Sequence, residues 1–371
     1  MNIKSVYSSH PEALRAVGEI KEQLSGLRAN FILYFASSYY DAQSLASSMQ
    51  EVFPEAVVVG CSTAGELTSG KMLTHSLVAM AFSEGVIQRV EIALASNLGK
   101  DTRAINKAVS GLEKALAHPL HSLDPDQYVG ILLTDGLSGQ EERVNDELGN
   151  LTNITFIGGS AGDDLRFEKT YLYAHGKVYS DAALLILLKP KAKFHFLKTQ
   201  SFLPTDKVLK VTKLNEAKRE ILEFNHQPAT VAYAKALGVA EEELDEHLFK
   251  NPLGLMFDPQ TPFVRSPRMT ENKSVLFYCA MKQNMSLTLL QSTDIIADTT
   301  AALQKAKQEL EGISAIINFN CILRTLDLKG QDKTEAYGKL FTTIPTVGFS
   351  TYGENYIGFI NQTATMLLLK E

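Results

Sequence analysis

The stretch Ala56-Val-Val-Val-Gly-Cys-Ser-Thr-Ala-Gly-Glu66 reads as a β-branched, apolar strand that runs into a turn closed by a glycine and a carboxylate. Upstream lie a strand-like run, Asn30 to Ala36, and a segment of helical period, Asp41 to Val52. Downstream, Ser76 to Phe82 and Val86 to Ala95 are separated by Ser83-Glu84-Gly85, a short hairpin signal, and a helix from about Asp101 to Ala117 closes the block. The order then recurs. Tyr128 to Leu133 is a strand, Gly139 to Leu148 a helix, Ile154 to Gly158 a strand and Gly159-Ser160-Ala161-Gly162-Asp163 a turn. Strands Lys169 to Tyr173, Lys177 to Leu188 and Lys193 to Phe202 follow, with His175-Gly176 as a tip. A third copy comprises a helix at Thr299 to Leu310, strands Ala315 to Asn320 and Thr346 to Phe349, the turn Ser350-Thr351-Tyr352-Gly353-Glu354 and a strand Ala364 to Leu369.

In each copy the first strand begins about thirty residues before the turn's leading glycine: Phe31 to Gly60, Val129 to Gly158, Ala315 to Gly348. This repetition predicts an α/β (α+β) fold of strand–helix–strand–turn–hairpin units in mixed, partly antiparallel sheets flanked by helices. Two regions are expected after a lead-in over 1–29: 30–200 with two units, and 201–371 with the third. Between the second and third copies, Lys189 to Arg219 holds nine basic residues against two acidic ones, which reads as the solvated face of strands at a junction. Arg219 to Leu237 and Glu241 to Lys250 read as helical, and Leu276 to Ala280 with Ser286 to Leu290 as another hairpin.

The 371 residues are 45% apolar and 21% charged, which fits a folded chain with a sizeable core and excludes disorder. A net charge of −6 argues against nucleic acid, whose binding rests on phosphate neutralisation. Three scattered cysteines form neither a metal half-site nor a disulfide framework. The longest apolar run, Ala182 to Leu188, is too short to cross a bilayer, and the first ten residues lack a signal-peptide core, so no membrane insertion and a cytoplasmic location are expected.

The turns carry the candidate chemistry. Each combines glycines, which allow close backbone approach and exposed N–H groups, with a hydroxyl and an acid. That mixture suits a zwitterion, with its carboxylate on the N–H groups and its ammonium on the acid, better than a bare phosphate. The candidate ligand-binding residues are Cys61, Ser62, Thr63 and Glu66; Ser160 and Asp163; Ser350, Tyr352, Glu354 and Asn361; and Asn320 with Arg324, a side chain able to clamp a carboxylate. No turn contains the Gly-Lys-Ser/Thr of a phosphate-binding loop, and Gly60 to Gly65 has the wrong spacing for a nucleophile elbow. A binding protein and not an enzyme is therefore expected, with a hydrolase using Cys61 or Ser62 as the alternative. The eight histidines form no metal-binding spacing, so no metal site is expected; His75 and His195 border strands and could serve a bound cofactor.

At these turns the sequence resembles the FIST family, through Val58-Val-Gly-Cys-Ser-Thr-Ala-Gly-Glu-Leu67, Ile157-Gly-Gly-Ser-Ala-Gly-Asp-Asp164, and Val347-Gly-Phe-Ser-Thr-Tyr-Gly-Glu354 with Asn361-Gln-Thr363. The resemblance implies a sensory signal-transduction protein that binds a small ligand, such as an amino acid, and acts on a separate signalling enzyme. Val264-Arg-Ser266, Leu276-Phe-Tyr-Cys-Ala280 and Asn320-Cys-Ile-Leu-Arg324 are similar to segments of stand-alone members that bind haem and report nitric oxide to a histidine kinase or to a diguanylate cyclase or phosphodiesterase. Where those relatives are expected to carry a histidine this chain has Ser201, which leaves His195 or His75 as the haem ligand that resemblance implies.

Overall fold

In the computed structural model, which describes residues 2–257 and 261–370, the three sequence repeats fold as three modules of one topology. The first runs β1 (Ile3–Ser8), α1 (Ala13–Gln23), β2 (Phe31–Ser37), α2 (Ala42–Val52), β3 (Val57–Thr63), β4 (Glu66–Thr68), β5 (Lys71–Leu73) and β6 (Leu77–Phe82). The second repeats it as β7 (Ile87–Ser96), α3 (Ala104–Leu116), β8 (Val129–Thr134), α4 (Glu141–Leu151), β9 (Phe156–Ser160), β10 (Leu172–Ala174), β11 (Lys177–Tyr179) and β12 (Ala182–Pro190). The third opens with β13 (Phe194–Gln200). A separate block follows: β14 (Phe202–Asn215), β15 (Glu220–Phe224), β16 (Gln227–Pro228), α5 (Ala229–Leu237), α6 (Leu244–Leu248), β17 (Leu253–Met256), β18 (Pro262–Arg265), β19 (Pro267–Glu271), β20 (Ser274–Phe277) and β21 (Ser286–Ser292). The module then resumes with α7 (Ile295–Leu310), β22 (Ile313–Cys321), α8 (Ile322–Gly330), α9 (Thr334–Lys339), β23 (Thr346–Thr351), β24 (Glu354–Tyr356), β25 (Phe359–Ile360) and β26 (Thr363–Lys370).

Each module is centred on a parallel pair, β2–β3, β8–β9 or β22–β23, in which the repeated glycine faces Tyr34, Leu132 or Asn318. A Cβ on Gly60 or Gly158 would stand 1.8 Å from the facing carbonyl oxygen, and on Gly348 2.1 Å, so a side chain at this position would break the pair. The short hairpin after each turn leaves its own sheet. β4–β5 extends the third module's sheet, β10–β11 the first and β24–β25 the second, giving three six-stranded sheets of identical order. This cyclic exchange ties the modules together.

Strand alternation places one set of side chains inside and the other under the helices. Phe31, Leu33 and Phe35, Val129, Ile131 and Leu133, and Ala315, Ile317 and Phe319 join one central core. The opposite face of the first sheet packs on α1 and α2 through Ile20, Leu45 and Met49. That of the second packs on α3 and α4 through Leu112, Val144 and Leu148. α2 is started by Asp41, whose carboxylate accepts the Ser44 N–H at 2.8 Å.

Four local expectations are corrected. Ser83-Glu84-Gly85 does not close a hairpin: β6 and β7 lie in different sheets, so the loop is the boundary between modules, and the helix at 101–117 belongs to the second module, which β7 opens. Leu276 to Ala280 and Ser286 to Leu290 do not pair either, because β20 lies between β15 and β19 while β21 joins β14 and β17. The stretch from Arg219 is a strand, β15, before α5 begins. The lead-in over 1–29 is β1 and α1, which complete the first sheet.

The chain divides into two compact units: Met1–Thr199, Thr299–Phe359 and Ala364–Glu371 make the first, and Gln200–Asp298 with Ile360–Thr363 the second. The third repeat thus shares a unit with the other two. The second unit is built on an eight-stranded sheet of order β18-β17-β21-β14-β15-β20-β19, with β16 on β15.

Candidate functional site

The three glycine turns meet in a closed ring. Ala64 donates its N–H to the Ser350 carbonyl at 3.3 Å, Tyr352 to Ser160 at 3.1 Å and Gly162 to Ser62 at 3.0 Å, each from the equivalent position of its module to the next. A second set follows it: Ser350 donates to Gly65 at 2.7 Å and Ser160 to Gly353 at 2.8 Å. The second turn is one residue shorter and has no glycine there, and Ser62 donates to Tyr171 at 2.9 Å instead.

The turn side chains are bonded within and around this ring. Cys61, Ser62, Thr63, Glu66, Ser160, Asp163, Ser350 and Glu354 are all at most 1% exposed. Ser62 Oγ donates to the Gly162 carbonyl at 2.7 Å and accepts the Tyr171 N–H at 2.8 Å. Ser160 Oγ lies 3.0 Å from Thr134 Oγ1, and Ser350 Oγ 2.8 Å from Thr325 Oγ1. Thr63 donates to Glu66 and, equivalently, Thr351 to Glu354 at 2.7 Å. Glu66 also accepts the N–H and hydroxyl of Ser76, at 3.1 and 2.6 Å. Burial pushes Glu66 up to about 8, so at neutral pH it is largely a neutral acid and a poor partner for an ammonium group. Burial also raises the Cys61 thiol, opposite to what a nucleophile needs.

Asn320 and Arg324 form a separate buried network under the third sheet. Arg324 Nε donates to Asn320 Oδ1 at 3.1 Å and Nη2 to Thr299 Oγ1 at 3.0 Å. Asn361 lies in the second unit and is buried.

The accessible chemistry lies beside the ring, on the loop after the second turn. Asp163 accepts the N–H groups of Phe167, Glu168 and Lys169 at 2.9, 2.6 and 3.0 Å and the Tyr352 hydroxyl. Burial and that carboxylate hold the Tyr352 phenol well above its ordinary range. Asp164 accepts from the Ser37 hydroxyl at 2.9 Å and from the Ser38 N–H and hydroxyl at 2.8 and 2.5 Å. So pinned, the loop holds Asp164, Leu165 and Phe167 at φ of 55°, 65° and 54°, a conformation costly for residues other than glycine. It presents Arg166, whose Nη2 donates to Ser38 O and Oγ at 3.1 and 2.9 Å and whose guanidinium lies 5.6 Å over the exposed Tyr39 ring. A groove of about 430 Å³ opens here at the C-terminal end of β2, lined by Ser38, Asp41 and Gln43 from the start of α2 and by Arg166, Glu168, Lys169 and Tyr171 from the loop. Two cations, two carboxylates and a helix N-terminus share it, the complement of a ligand with both charges.

Residues 30–227 of this chain match the FIST N domain and residues 229–356 the FIST C domain. The chain belongs to the FIST family. FIST domains are associated with sensory signal transduction and small-ligand binding. An uncharacterized protein of the archaeon Methanocaldococcus jannaschii is 25% identical over 226 residues, covering 59% of this chain and 42% of that protein's length. In this FIST protein His195 Nε2 lies 3.8 Å from the Glu309 carboxylate, both side chains partly exposed. The His75 ring lies 4.1 Å from that of exposed Tyr39. These polar and surface settings do not fit an axial ligand in an apolar haem slot. Among the described residues no cluster of three or more His, Cys, Asp or Glu is placed to hold a metal, and no helix is long and apolar enough to cross a membrane.

Sequence reading missed Asp164, Arg166 and Lys169. The doubled acid Asp163-Asp164 directly after a glycine was the available signal, since such carboxylates bond backbone N–H groups a few residues on.

Proposed function

We propose that this FIST protein is a non-catalytic sensor that binds a zwitterionic metabolite, an amino acid or close analogue, in the groove between the start of α2 and the 163–171 loop. One observation carries this reading: Arg166 and Lys169 share with Asp41 and Glu168 the lining of a groove of ligand size, on a loop pinned by the buried Asp163 and half-buried Asp164 carboxylates. Arg166 and Lys169, with the N–H groups at the start of α2, receive the ligand carboxylate, and Asp41 or Glu168 receives the ammonium. The signal leaves through the ring. Asp163 holds both the loop and Tyr352 of the third module, so a ligand that shifts the loop biases the joint among all three modules. A separate signalling enzyme, a histidine kinase or a cyclic-di-GMP enzyme, reads that state.

Calorimetry with the common amino acids tests this. One of them binds, and Arg166→Ala weakens it by about tenfold or more, the worth of one charge-assisted pair. Absence of binding by every amino acid, or equal affinity in Arg166→Ala, overturns the reading. A stoichiometric Soret band on adding haem would replace it with a gas sensor.

A further inference from the structure

The three exchanged hairpins are equivalent by register, since Leu67, Tyr173 and Asn355 each face the repeated glycine of the sheet they join. Their tips therefore correspond: Ser69-Gly70, His175-Gly176 and Ile357-Gly358, with all three glycines at positive φ. Two of the tips are docked. The Gly176 carbonyl accepts from Gln43 Nε2 at 2.9 Å and Ser47 Oγ at 3.3 Å, both on α2, and a Cβ there would meet Gln50 at 3.2 Å. A Cβ on Gly70 would meet Thr342 at 3.3 Å, and Gly338 of α9 has room for no Cβ against Lys71, 2.9 Å away.

The third tip is not closed in this way. Nothing lies within 4 Å of a Cβ on Gly358, and a groove of about 460 Å³ separates the tip from α4. Ile357 stands 72% exposed at φ 50°, a strained setting for a β-branched side chain. The groove is preformed, because Asn145 Nδ2 ties α4 to the base of the hairpin through Asn355 Oδ1 at 2.8 Å. Its floor is the largely buried Leu148, Ile154 and Phe156, exposed Ile357 and the polar Asn145, Asn150 and Thr155 line its sides, and among the described residues Asp146 is its charged lining residue. α4 carries Glu141, Glu142, Asp146 and Glu147 against a single base, Arg143, which is bound to Glu147 at 2.8 Å. The C-terminal end of α4 adds the negative pole of the helix.

We propose that this groove docks a segment of a partner protein in which apolar side chains alternate with lysine or arginine. The apolar residues fill the gap that Gln50 and its neighbours fill in the first module, and the bases meet Asp146 and the end of α4. This surface lies outside the groove assigned to the small ligand, and its test does not depend on that ligand.

The probe is an acetylated, fluorescein-labelled peptide of alternating lysine and isoleucine, titrated with the full chain at physiological salt, beside a peptide of alternating glutamate and isoleucine. Saturable binding of the basic peptide alone is expected. Asp146→Lys should weaken it by about tenfold or more, as reversal of a contacting charge does. Gly149→Gln, whose side chain fills the groove from a helical position with nothing within 4 Å of its Cβ, should weaken it similarly with the melting temperature kept. Glu55→Lys makes the same charge change at an exposed site away from the groove and should leave binding unchanged. Equal binding of both peptides, no saturation, unaltered binding by Gly149→Gln, or an equal loss in Glu55→Lys would overturn the proposal.

Discussion

The first and third modules share a backbone and bury opposite chemistry beneath their helices. Opposite Gly60 stands Tyr34, stacked on Tyr173 with ring centroids 5.4 Å apart, and two residues on is Ala36, in an apolar cluster. Opposite Gly348 stands Asn318, and two residues on is Asn320. Its Oδ1 accepts from Arg324 and from the Tyr337 hydroxyl, both at 3.1 Å, while its Nδ2 donates to Thr325 at 2.9 Å. Thr325 in turn reaches Ser350 of the third turn. The glycine is demanded by backbone contact and so recurs, whereas the side chain across from it is free to differ. In the first module area burial fills that space. In the third, a hydrogen-bonded network does, one that tolerates a single register and couples α7 and α8 to the ring.

The largest effect expected from breaking this comparison lies in what the modules share. Gly60→Ala and Gly348→Ala each put a methyl group inside the contact distance of a backbone carbonyl. Both should lose more than about 4 kcal/mol, a size reserved for backbone conflict in a core, or fail to fold. Gly111→Ala, in the middle of α3 with open space around its Cβ, should instead gain about 0.5–1 kcal/mol in urea denaturation. Comparable losses at Gly60 and Gly111 would show that glycine matters here only for chain flexibility. Next in size is the part that differs. Arg324→Met takes one of two donors from Asn320 Oδ1, leaving the Tyr337 hydroxyl, and removes the guanidinium bond to Thr299 Oγ1 in a dry interior; it should cost about 3 kcal/mol, as breaking a buried charged network does. A cost below about 1 kcal/mol would mean that water already reaches the network.

How far the sequence discloses this follows from the same contrast. Repetition of Gly60, Gly158 and Gly348 at fixed distance from an apolar strand was legible because a backbone contact permits one residue type. The exchange of hairpins was not, since β4, β10 and β24 carry three residues each and nothing in so short a strand names its partner. The same limit made Ser83-Glu84-Gly85 read as a hairpin: a short loop shows that the chain turns, not that the flanking strands pair. Ser62, Glu66 and Glu354 read as candidate ligand-binding residues, but a polar residue beside a glycine looks alike whether it meets a ligand or its own turn. The pinned loop at Asp164 to Phe167 was out of reach, because its left-handed residues are not glycines and are held there by Ser37, Ser38 and Tyr352 from distant parts of the chain.

The smallest prediction concerns the acid that closes the first turn. Glu66 titrates near 8 in the folded chain because burial disfavours its charge, with only partial relief from Ser76 and Thr63, against an ordinary 4.5 when unfolded. Between those values the folded state holds the extra proton, so stability is greatest below about pH 4.5, falls as pH rises towards 8, and changes no further from this group above that. The slope can reach about 1.4 kcal/mol per pH unit for one proton. Glu66→Gln keeps the shape, retains a carbonyl acceptor for Ser76 or Thr63, and cannot ionise. Urea midpoints at pH 5, 6, 7 and 8 should therefore fall steadily for the natural chain and much less for Glu66→Gln, the two converging at the acid end. Parallel curves would mean that the Thr63 and Ser76 bonds outweigh burial and keep Glu66 ionised, making the first turn a charged joint. Since Glu66 is fixed to Ser76 on one side and Thr63 on the other, a flat profile would also remove any reason for the ring to loosen between pH 5 and 8.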